Sequence, residues 1–501
     1  MNSMLNGLKN ATNYTITENG AITHKTTKSD LLDMFAMGAA MRNRSDADVI
    51  LMFRKAFAEN PVYALKCLFY IRDVRGGQGE RRFFRVVIKD MASRLDTRDA
   101  IKRNMELIPE FGRWDDLYAF MDTPLQNDAL NIIKHQLALD VQCKTPSLLG
   151  KWMPSENTSS AKTRANARVI RSYLGMTSKQ YRKTLSTLRQ RINVLERLMS
   201  AGQWDLIEFD KIPSKAGFKY KNAFARHDIE RMKAEKPVQS YADFAKDKTT
   251  KVNAKALYPY EVVAKGVRAA GFAMDSTDRL MVNKYWENLA DYFNGKTFNG
   301  LAVVDTSNSM TWYGGDACPL NVAISIGMYC AERAKGPFAG HYVSFSSRPR
   351  LVSVEGVDFC DKVRRIYKAN LCENTNIEAT FDMLLNTAIQ NNCTQDELPE
   401  NIIILSDMEF DAARGWYRSD NINTLMENIR VKWANFGYRL PHLIYWNVQA
   451  RQNSVPENIG CGLVSYVSGM SPSIFETILS GKTGYDLMME KLNSPRYEVI
   501  G

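Results

Sequence analysis

The chain has 501 residues, of which 45% are hydrophobic and 24% are charged, and its formal net charge is +11. This length predicts two or more domains, and this composition excludes a largely disordered protein. No apolar run approaches the roughly 20 residues of a membrane-spanning helix, so we expect no membrane partner.

The amino terminus and the cysteines indicate in which cellular compartment the protein is expected. Residues 1–14 are polar and lack the apolar segment of a signal peptide. The eight cysteines are scattered, without a C-x-x-C pair or histidines at zinc-binding spacing. We therefore expect free thiols and a cytoplasmic location.

The positive charge is concentrated in the first part of the chain. Residues 1–295 hold 48 Lys and Arg against 33 Asp and Glu, whereas residues 296–501 hold 18 against 22. Residues 141–240 alone hold 20 against 8, a net charge of +12. Charge concentrated in this way predicts a polyanionic partner, most often nucleic acid. A basic surface that only keeps the protein in solution is the alternative.

From residue 28 the sequence pattern is helical for about 265 residues. The segments are mostly 10 to 23 residues long with short loops between them, and one long helix is predicted over residues 178–200. We predict a domain of stacked helical hairpins, similar to HEAT repeats, over residues 1–295. Within it, the Gly- and Arg-rich segment 72–82 is either a turn between helices or a nucleic-acid contact.

After residue 295 the pattern changes to alternating strands and helices. Strands are predicted at 300–304, 340–345, 350–354, 402–406, 442–448 and 463–467. Helices are predicted at 319–335, 358–369, 377–390, 421–436 and 472–480. This alternation predicts a doubly wound, mostly parallel α/β sheet over residues 296–501.

Oxygen-bearing side chains follow two of the predicted buried strands. Asp305, Ser307 and Ser309 come directly after the first strand, and Asp407 follows the strand at 402–406. Thr375 lies in a polar loop between these two strands. Carboxylate and hydroxyl oxygens at the carboxyl end of a parallel sheet suit Mg²⁺ or a similar divalent cation. The alternative is that the two carboxylates only cap helices or bind loop amides.

Catalytic arrangements are not evident in the sequence. Haloacid dehalogenase-type phosphotransferases place a second Asp where this chain has Ser307. His341 and His442 begin predicted strands, and no Ser lies in a G-x-S-x-G motif. A metal-dependent nuclease or phosphatase is disfavoured because the site lacks a base, so we do not expect an enzyme.

Several motifs resemble those of TROVE–vWA proteins, the family of the Ro autoantigen. Asp305-x-Ser307-x-Ser309 resembles the metal-ion-dependent adhesion site (MIDAS) of a von Willebrand factor A (vWA) domain. The segments at 73–81, 112–116 and 406–411 are similar to a bacterial and phage branch of that family. The resemblance implies a TROVE-like helical ring joined by a vWA domain, with structured small RNA on its outer basic surface and single-stranded RNA ends in its hole. For a phage-encoded protein, the location would be the host cytoplasm.

We therefore predict an RNA-binding protein with Mg²⁺ held by Asp305, Ser307, Ser309, Thr375 and Asp407. The residues predicted to form one basic RNA-binding surface are Lys179, Arg182, Lys183, Arg189, Lys215, Lys219, Lys221 and Arg226, with Phe218 and Tyr220 stacking on unpaired bases. Both aromatic rings could instead fill the core between helices. The alternative function is a protein-interaction module whose metal site captures a carboxylate of a protein partner, without RNA.

Overall fold

The structure, a computed structural model, describes residues 12–192, 194–233, 238–254, 257–293, 295–311, 315–345, 348–369, 374–412, 424–458 and 463–501. A helical N-terminal half precedes a mixed six-stranded sheet with its own helices, which confirms this coarse division. Before the first helix, the strands β1 (Tyr14–Ile16) and β2 (Ile22–His24) form a short antiparallel hairpin.

The helices of the N-terminal half begin where the sequence offers caps. The hydroxyl of Ser29 accepts a hydrogen bond from the amide of Leu32, and Pro61 is the first residue of its helix. In chain order the helices are α1 (Asp30–Met37), α2 (Asp46–Glu59), α3 (Pro61–Arg72), α4 (Arg81–Ser93), α5 (Leu95–Asn104), α6 (Ile108–Phe111), α7 (Gln126–Gln142), α8 (Leu149–Trp152), α9 (Ala161–Tyr173), α10 (Ser178–Arg191), α11 (Leu195–Ser200), α12 (Ser214–Arg226), α13 (Asp228–Met232), α14 (Tyr241–Lys246), α15 (Pro259–Ala269) and α16 (Thr277–Glu287). Across the described ranges, no helix is long and apolar enough to cross a membrane.

The single long helix predicted over residues 178–200 is wrong. The structure ends α10 at Arg191 and begins α11 at Leu195. Val194 has extended backbone angles, with φ −61° and ψ 121°. Since β-branched Ile192 and Val194 are poor helix formers, the apolar spacing continues through this point although the helix does not.

The six predicted strands of the C-terminal half are all present. They are β3 (Gly300–Asp305), β4 (His341–Phe345), β5 (Arg350–Ser353), β6 (Asn401–Ser406), β7 (His442–Asn447) and β8 (Val464–Ser468). Their order in the sheet is β5-β4-β3-β6-β7-β8, and only β5 is antiparallel to its neighbour. The inner strands are almost completely buried, which explains their continuous apolar sequences.

Five helices of the C-terminal half lie at the predicted places, and a sixth, over residues 484–492, was not predicted. They are α17 (Pro319–Arg333), α18 (Phe359–Ala369), α19 (Ile377–Gln390), α20 (Leu425–Asn435), α21 (Phe475–Ile478) and α22 (Gly484–Leu492). The helix predicted from residue 421 is described only from residue 424 onward, since residues 421–423 lie outside the described ranges.

The two halves share an extensive interface. Helix α1 packs on β7 and β8, where the Ser468 hydroxyl donates a 2.8 Å hydrogen bond to the carbonyl of Phe35. The predicted boundary between residues 295 and 296 falls in the segment between α16 and β3, and the division into two domains stays a prediction.

The Gly- and Arg-rich segment 72–82 contributes to this interface as a turn between α3 and α4. The carboxylate of Asp73 accepts hydrogen bonds from Arg496 and from the Tyr497 hydroxyl. A Cβ atom at Gly77 would lie 2.0 Å from the carbonyl oxygen of Tyr70, so glycine is required there. These contacts favour the structural interpretation of this segment over a nucleic-acid contact.

Candidate functional site: a cluster of buried oxygens at the sheet edge

The predicted metal-binding residues lie where the strand order of the sheet reverses. Strands β3 and β6 are parallel neighbours, and Val304 pairs with Leu405. The chain passes from β3 to β4 on one side and reaches β6 on the other side. In open α/β sheets, ligands bind in the crevice beyond the carboxyl ends of the strands at such a reversal. Asp305 and Asp407 occupy this position.

The loop after β3 is held together by its own polar groups. Asp305 is completely buried, and its Oδ1 accepts a 2.9 Å hydrogen bond from the amide of Ser307. The hydroxyls of Ser307 and Ser309 are 3.0 Å apart. The loop thus brings one carboxylate and two hydroxyls close together. The occurrence of Asp305, Ser307 and Ser309 at every second position predicts this arrangement.

The loop after β6 brings the second carboxylate to the same place. Ser406, the last residue of β6, donates a 2.5 Å hydrogen bond from its hydroxyl to Oδ2 of Asp305. Oδ1 of Asp407 accepts a 3.2 Å hydrogen bond from the amide of Glu409. Met408 between them has a φ of +66°, a conformation that costs free energy in a non-glycine residue and is common at binding sites.

The second oxygen of Asp407 lacks a hydrogen bond. Only 2% of this residue is exposed, and its Oδ2 is buried with no hydrogen-bond donor among the described residues. The nearest cation is the guanidinium of Arg451, with Nη1 at 3.6 Å from Oδ2. A buried carboxylate oxygen in this state can accept a metal ion or a metal-bound water.

Thr375 lies in a third loop, before α19, which contacts the loop after β6. It is 2% exposed, and its hydroxyl accepts a 3.3 Å hydrogen bond from the side-chain amide of Asn19. Its carbonyl accepts a 2.9 Å hydrogen bond from the amide of Asp411, which continues the loop after β6. The loops that carry all five predicted ligands are therefore joined by direct contacts.

Electrostatics make this cluster receptive to a cation. Burial raises the pKa of Asp305, and repulsion from Asp407 raises it further. Burial also raises the pKa of Asp407, opposed by the Glu409 amide, the Ser309 hydroxyl and the Arg451 guanidinium. Glu409 nearby has its pKa raised to about 7, mainly by burial. Because both facing carboxylates are disfavoured as anions, a divalent cation between them would stabilise their charged forms.

The donor set fits a hard cation. No group of three or more His, Cys, Asp or Glu residues lies close enough to hold a metal in the part of the chain that the structure describes. The proposed site contains only two such residues, Asp305 and Asp407, and its other three ligands are hydroxyls. Oxygen ligands without sulfur or imidazole favour Mg²⁺ over Zn²⁺ or Cu²⁺, and Mg²⁺ retains part of its water shell.

Several residues of the site were not predicted from the sequence. The turn of the β1–β2 hairpin lies against the loop after β6, where the amide of Glu18 donates a 2.7 Å hydrogen bond to the Glu409 carboxylate. Asn19 donates a 2.6 Å hydrogen bond to the carbonyl of Glu409. The Glu18 carboxylate also pairs with Arg451 at 2.5 Å. The partners of each of these contacts are at least 390 residues apart in the chain, and no local pattern signals such contacts.

Three of the predicted RNA-binding residues on α10 are exposed, whereas Arg189 is held by the protein. Lys179, Arg182 and Lys183 lie on the solvent side of the helix. Arg189 donates hydrogen bonds to the carbonyls of Gly150 and Met153, each at 2.9 Å, and to the Ser155 hydroxyl at 3.0 Å. Its donors fix the segment after α8 to α10, so they are not free for a phosphate.

The predicted residues on α12 are mostly paired within the protein. Lys215 forms a 2.9 Å ion pair with Glu261, and Lys221 pairs with Asp278. The Lys219 ammonium donates a 2.8 Å hydrogen bond to the hydroxyl of Tyr220. Arg226 is exposed, and no ion pair joins it to any described residue.

The aromatic rings of α12 are half-buried, so they pack against the core without filling it. Phe218 packs on Tyr285, with ring centroids 4.4 Å apart. Tyr220 donates a 2.9 Å hydrogen bond from its hydroxyl to Glu196. Their predicted role in base stacking stays a prediction, and these contacts give both rings a structural role.

His442 illustrates a buried histidine with a structural role. Its ring nitrogens lie 2.9 Å from Oδ1 of Asn401 and 2.8 Å from the hydroxyl of Ser465. Burial lowers the pKa of His442 to about 4. His442 is the first residue of β7, so it lies at the opposite end of the strands from the oxygen cluster.

The lowered pKa of His442 predicts a loss of stability in acid. A histidine with a lowered pKa in the folded state contributes stability above its unfolded pKa of about 6.5, and loses it as pH falls through the folded value. Between about pH 7 and pH 5, the free energy of unfolding of the wild type should fall by about 2 kcal/mol more than that of the His442→Gln variant, which has no imidazole to protonate. Urea unfolding at both pH values measures this difference, and equal pH dependence in the two proteins would contradict it.

Comparison with known proteins finds similarity in both halves of the chain. The family model for a domain of unknown function, DUF2828, matches residues 17–93 and 147–296. A second model for a domain of unknown function, DUF7788, matches residues 299–497. The uncharacterized protein L728 of Acanthamoeba polyphaga mimivirus is 29% identical over 503 residues, which cover 94% of this chain and 85% of the relative. The similarity to this viral protein therefore extends over both halves and their connection.

Proposed function

We propose that this chain is an RNA-binding protein of the TROVE–vWA (Ro-like) type. In this proposal the helical half forms a ring of HEAT-like repeats that binds structured small RNA or single-stranded RNA ends. The C-terminal half is a vWA domain whose MIDAS holds Mg²⁺ and captures a carboxylate of a protein partner.

The observation that carries the RNA proposal is uncompensated positive charge between residues 141 and 240. Nineteen Lys and Arg residues of this segment lie in the described ranges. Four of these nineteen form ion pairs with described acidic residues, namely Arg171, Lys211, Lys215 and Lys221. Some of the others are held by backbone carbonyls, as Arg189 and the buried Arg231 are. Exposed cations without an ion pair to a described residue, such as Lys179, Arg182, Lys183 and Arg226, are available to phosphates, and release of their counterions would drive binding.

Two features support the vWA assignment. The strand order, with one antiparallel edge strand, places Asp305 and Asp407 at the reversal point. The five proposed ligands supply only oxygen, and one buried oxygen of Asp407 has no hydrogen bond. When bound there, Mg²⁺ would offer an open coordination position to an external carboxylate.

Contacts between distant helices support the ring. The hydroxyl of Tyr258, just before α15, donates a 3.4 Å hydrogen bond to the carbonyl of Gln78, which lies between α3 and α4. Gln78 also accepts a 3.1 Å hydrogen bond from the amide of Ser471 in the C-terminal half. Early and late parts of the helical half thus meet beside the sheet, as closure of a ring through the C-terminal half requires.

A protein-interaction module without RNA is the second candidate function. The ion pairs of Lys215 and Lys221 favour it, because they remove two of the predicted cations from a phosphate-binding surface. Sequencing of nucleic acid that co-purifies with the protein at low salt tests the two proposals. Recovery of defined RNA species supports the first, and a nucleic-acid-free protein that binds a partner only with Mg²⁺ supports the second.

A further inference from the structure

A cleft of about 530 Å³ lies where α10 breaks from α11, facing α8 and the segment after it. Its floor is apolar and aromatic, formed by Trp152, Tyr181 and Leu185. Its rim is cationic and includes Arg182 and Arg197. Clefts of this volume hold small ligands or single groups of larger ones.

The acidic residues of the cleft are engaged by groups from elsewhere. Glu156 pairs with Arg171 of α9 at 2.8 Å, and Glu196 accepts its hydrogen bond from the Tyr220 hydroxyl of α12. The cations of the rim are less engaged. Arg182 has one 3.3 Å hydrogen bond to a carbonyl of its own helix, and Arg197 forms no ion pair with any residue that the structure describes. The rim therefore carries positive charge that an anion can neutralise.

The floor is built for a flat ring. Trp152 is half-buried, and the guanidinium of Arg113 covers one face of its ring at 4.1 Å from the centroid, so only the rest of the ring is offered to the cleft. The Tyr181 hydroxyl donates a 2.8 Å hydrogen bond to the carbonyl of Pro154, which fixes the wall beside it. Three hydrogen bonds from Arg189 to the 150–155 segment make the same wall rigid. An aromatic floor of this kind favours stacking of a planar group.

We infer that this cleft binds a nucleotide, with the base on the Trp152 floor and the phosphate at Arg182 and Arg197. An aromatic surface beside free guanidinium groups matches a base that carries a phosphate. An acidic peptide would satisfy the rim but would leave the apolar floor in water. The inference rests on the proposed RNA-binding function, which it deepens by naming the subsite.

The nucleotide has two sources, a free mononucleotide or one unpaired nucleotide of an RNA. Arg197 also lines a neighbouring cleft of about 630 Å³, together with Gln190, Arg191 and Gln203. Two adjoining clefts that share a cation can follow a continuous phosphodiester backbone. The structure therefore favours an unpaired RNA segment as the source.

Titration of the full-length protein with AMP, and with a short 5′-phosphorylated oligoadenylate, tests the inference. Arg197→Ala is expected to weaken binding about tenfold, since a charge-assisted hydrogen bond to the phosphate is lost. Trp152→Ala is expected to weaken it by a similar factor through the loss of stacking. Arg103→Ala is the matched control, because Arg103 is an exposed cation on α5, outside the cleft and outside residues 141–240.

The outcomes separate the inference from the proposed function. Oligoadenylate that binds far more tightly than AMP, and loses affinity in both cleft variants, identifies RNA as the source. AMP binding that depends on Arg197 and is not displaced by the oligonucleotide identifies a free nucleotide. Nucleic acid bound with equal affinity by the wild type and both variants overturns the cleft as the site, while RNA binding stands. Absence of binding to AMP, oligoadenylate and co-purifying RNA overturns both proposals.

Discussion

Asp305→Asn is expected to abolish stabilisation of the protein by Mg²⁺. The wild type should unfold at a higher temperature as Mg²⁺ is added, because a ligand that binds only the folded state stabilises it by mass action. The variant keeps the shape of the side chain but removes one of two carboxylates in a cluster that otherwise offers hydroxyls. Differential scanning calorimetry with and without Mg²⁺ measures both effects.

The same variant should fold well without metal. The pKa of Asp305 is raised by burial and by repulsion from Asp407, so the charged carboxylate destabilises the metal-free fold. Asparagine removes this repulsion, and we expect an unchanged or higher unfolding temperature without Mg²⁺. Asp382→Asn, a half-exposed carboxylate on α19 paired with Lys432, is the control and should retain the Mg²⁺ response. An equal Mg²⁺ response in the wild type and Asp305→Asn would rule out the site.

Charge reversal on α10 is expected to give the largest loss of RNA affinity. The triple variant Lys179→Glu, Arg182→Glu, Lys183→Glu replaces three exposed cations that have no ion pair among the described residues. We expect the RNA affinity at low salt to fall at least about 100-fold. The slope of log affinity against log salt should also decrease by the contribution of about three phosphate contacts. Electrophoretic mobility shift with co-purified RNA at several salt concentrations measures both quantities.

A matched variant distinguishes local contact from overall charge. A second triple variant makes the same change in net charge at exposed positions outside residues 141–240. It carries Lys55→Glu, Lys89→Glu and Lys134→Glu. Its affinity should fall only slightly, through the long-range field. Equal losses in the two triple variants would mean that the α10 surface has no special role in RNA binding.

The strands and the oxygen cluster were predictable because their signals are local. Continuous apolar runs predict buried parallel strands, and all six strands lie within two residues of their predicted bounds. The spacing of Asp305, Ser307 and Ser309 places three oxygens at one strand end, and the order of the sheet brings Asp407 beside them. Short segments of sequence are therefore enough to predict where these four oxygen-bearing side chains lie.

The contacts that complete the site could not be predicted, because they join distant parts of the chain. Nothing near Glu18 or Asn19 indicates that this turn will bind the loop after β6. Charge counting also fails to show which cations are neutralised, as the ion pairs of Lys215 and Lys221 with α15 and α16 demonstrate. Such pairings depend on the tertiary arrangement of the helices.

The most direct test of the central claim is RNA affinity as a function of salt, measured with and without EDTA. If the helical half binds RNA through phosphates, the logarithm of affinity should fall linearly with the logarithm of salt, with a slope of roughly 0.7 to 0.9 for each phosphate neutralised. EDTA should leave this affinity unchanged, because the oxygen cluster lies in the other half. Affinity that is insensitive to salt and is lost in EDTA would contradict the account and would support a metal-dependent protein-interaction module.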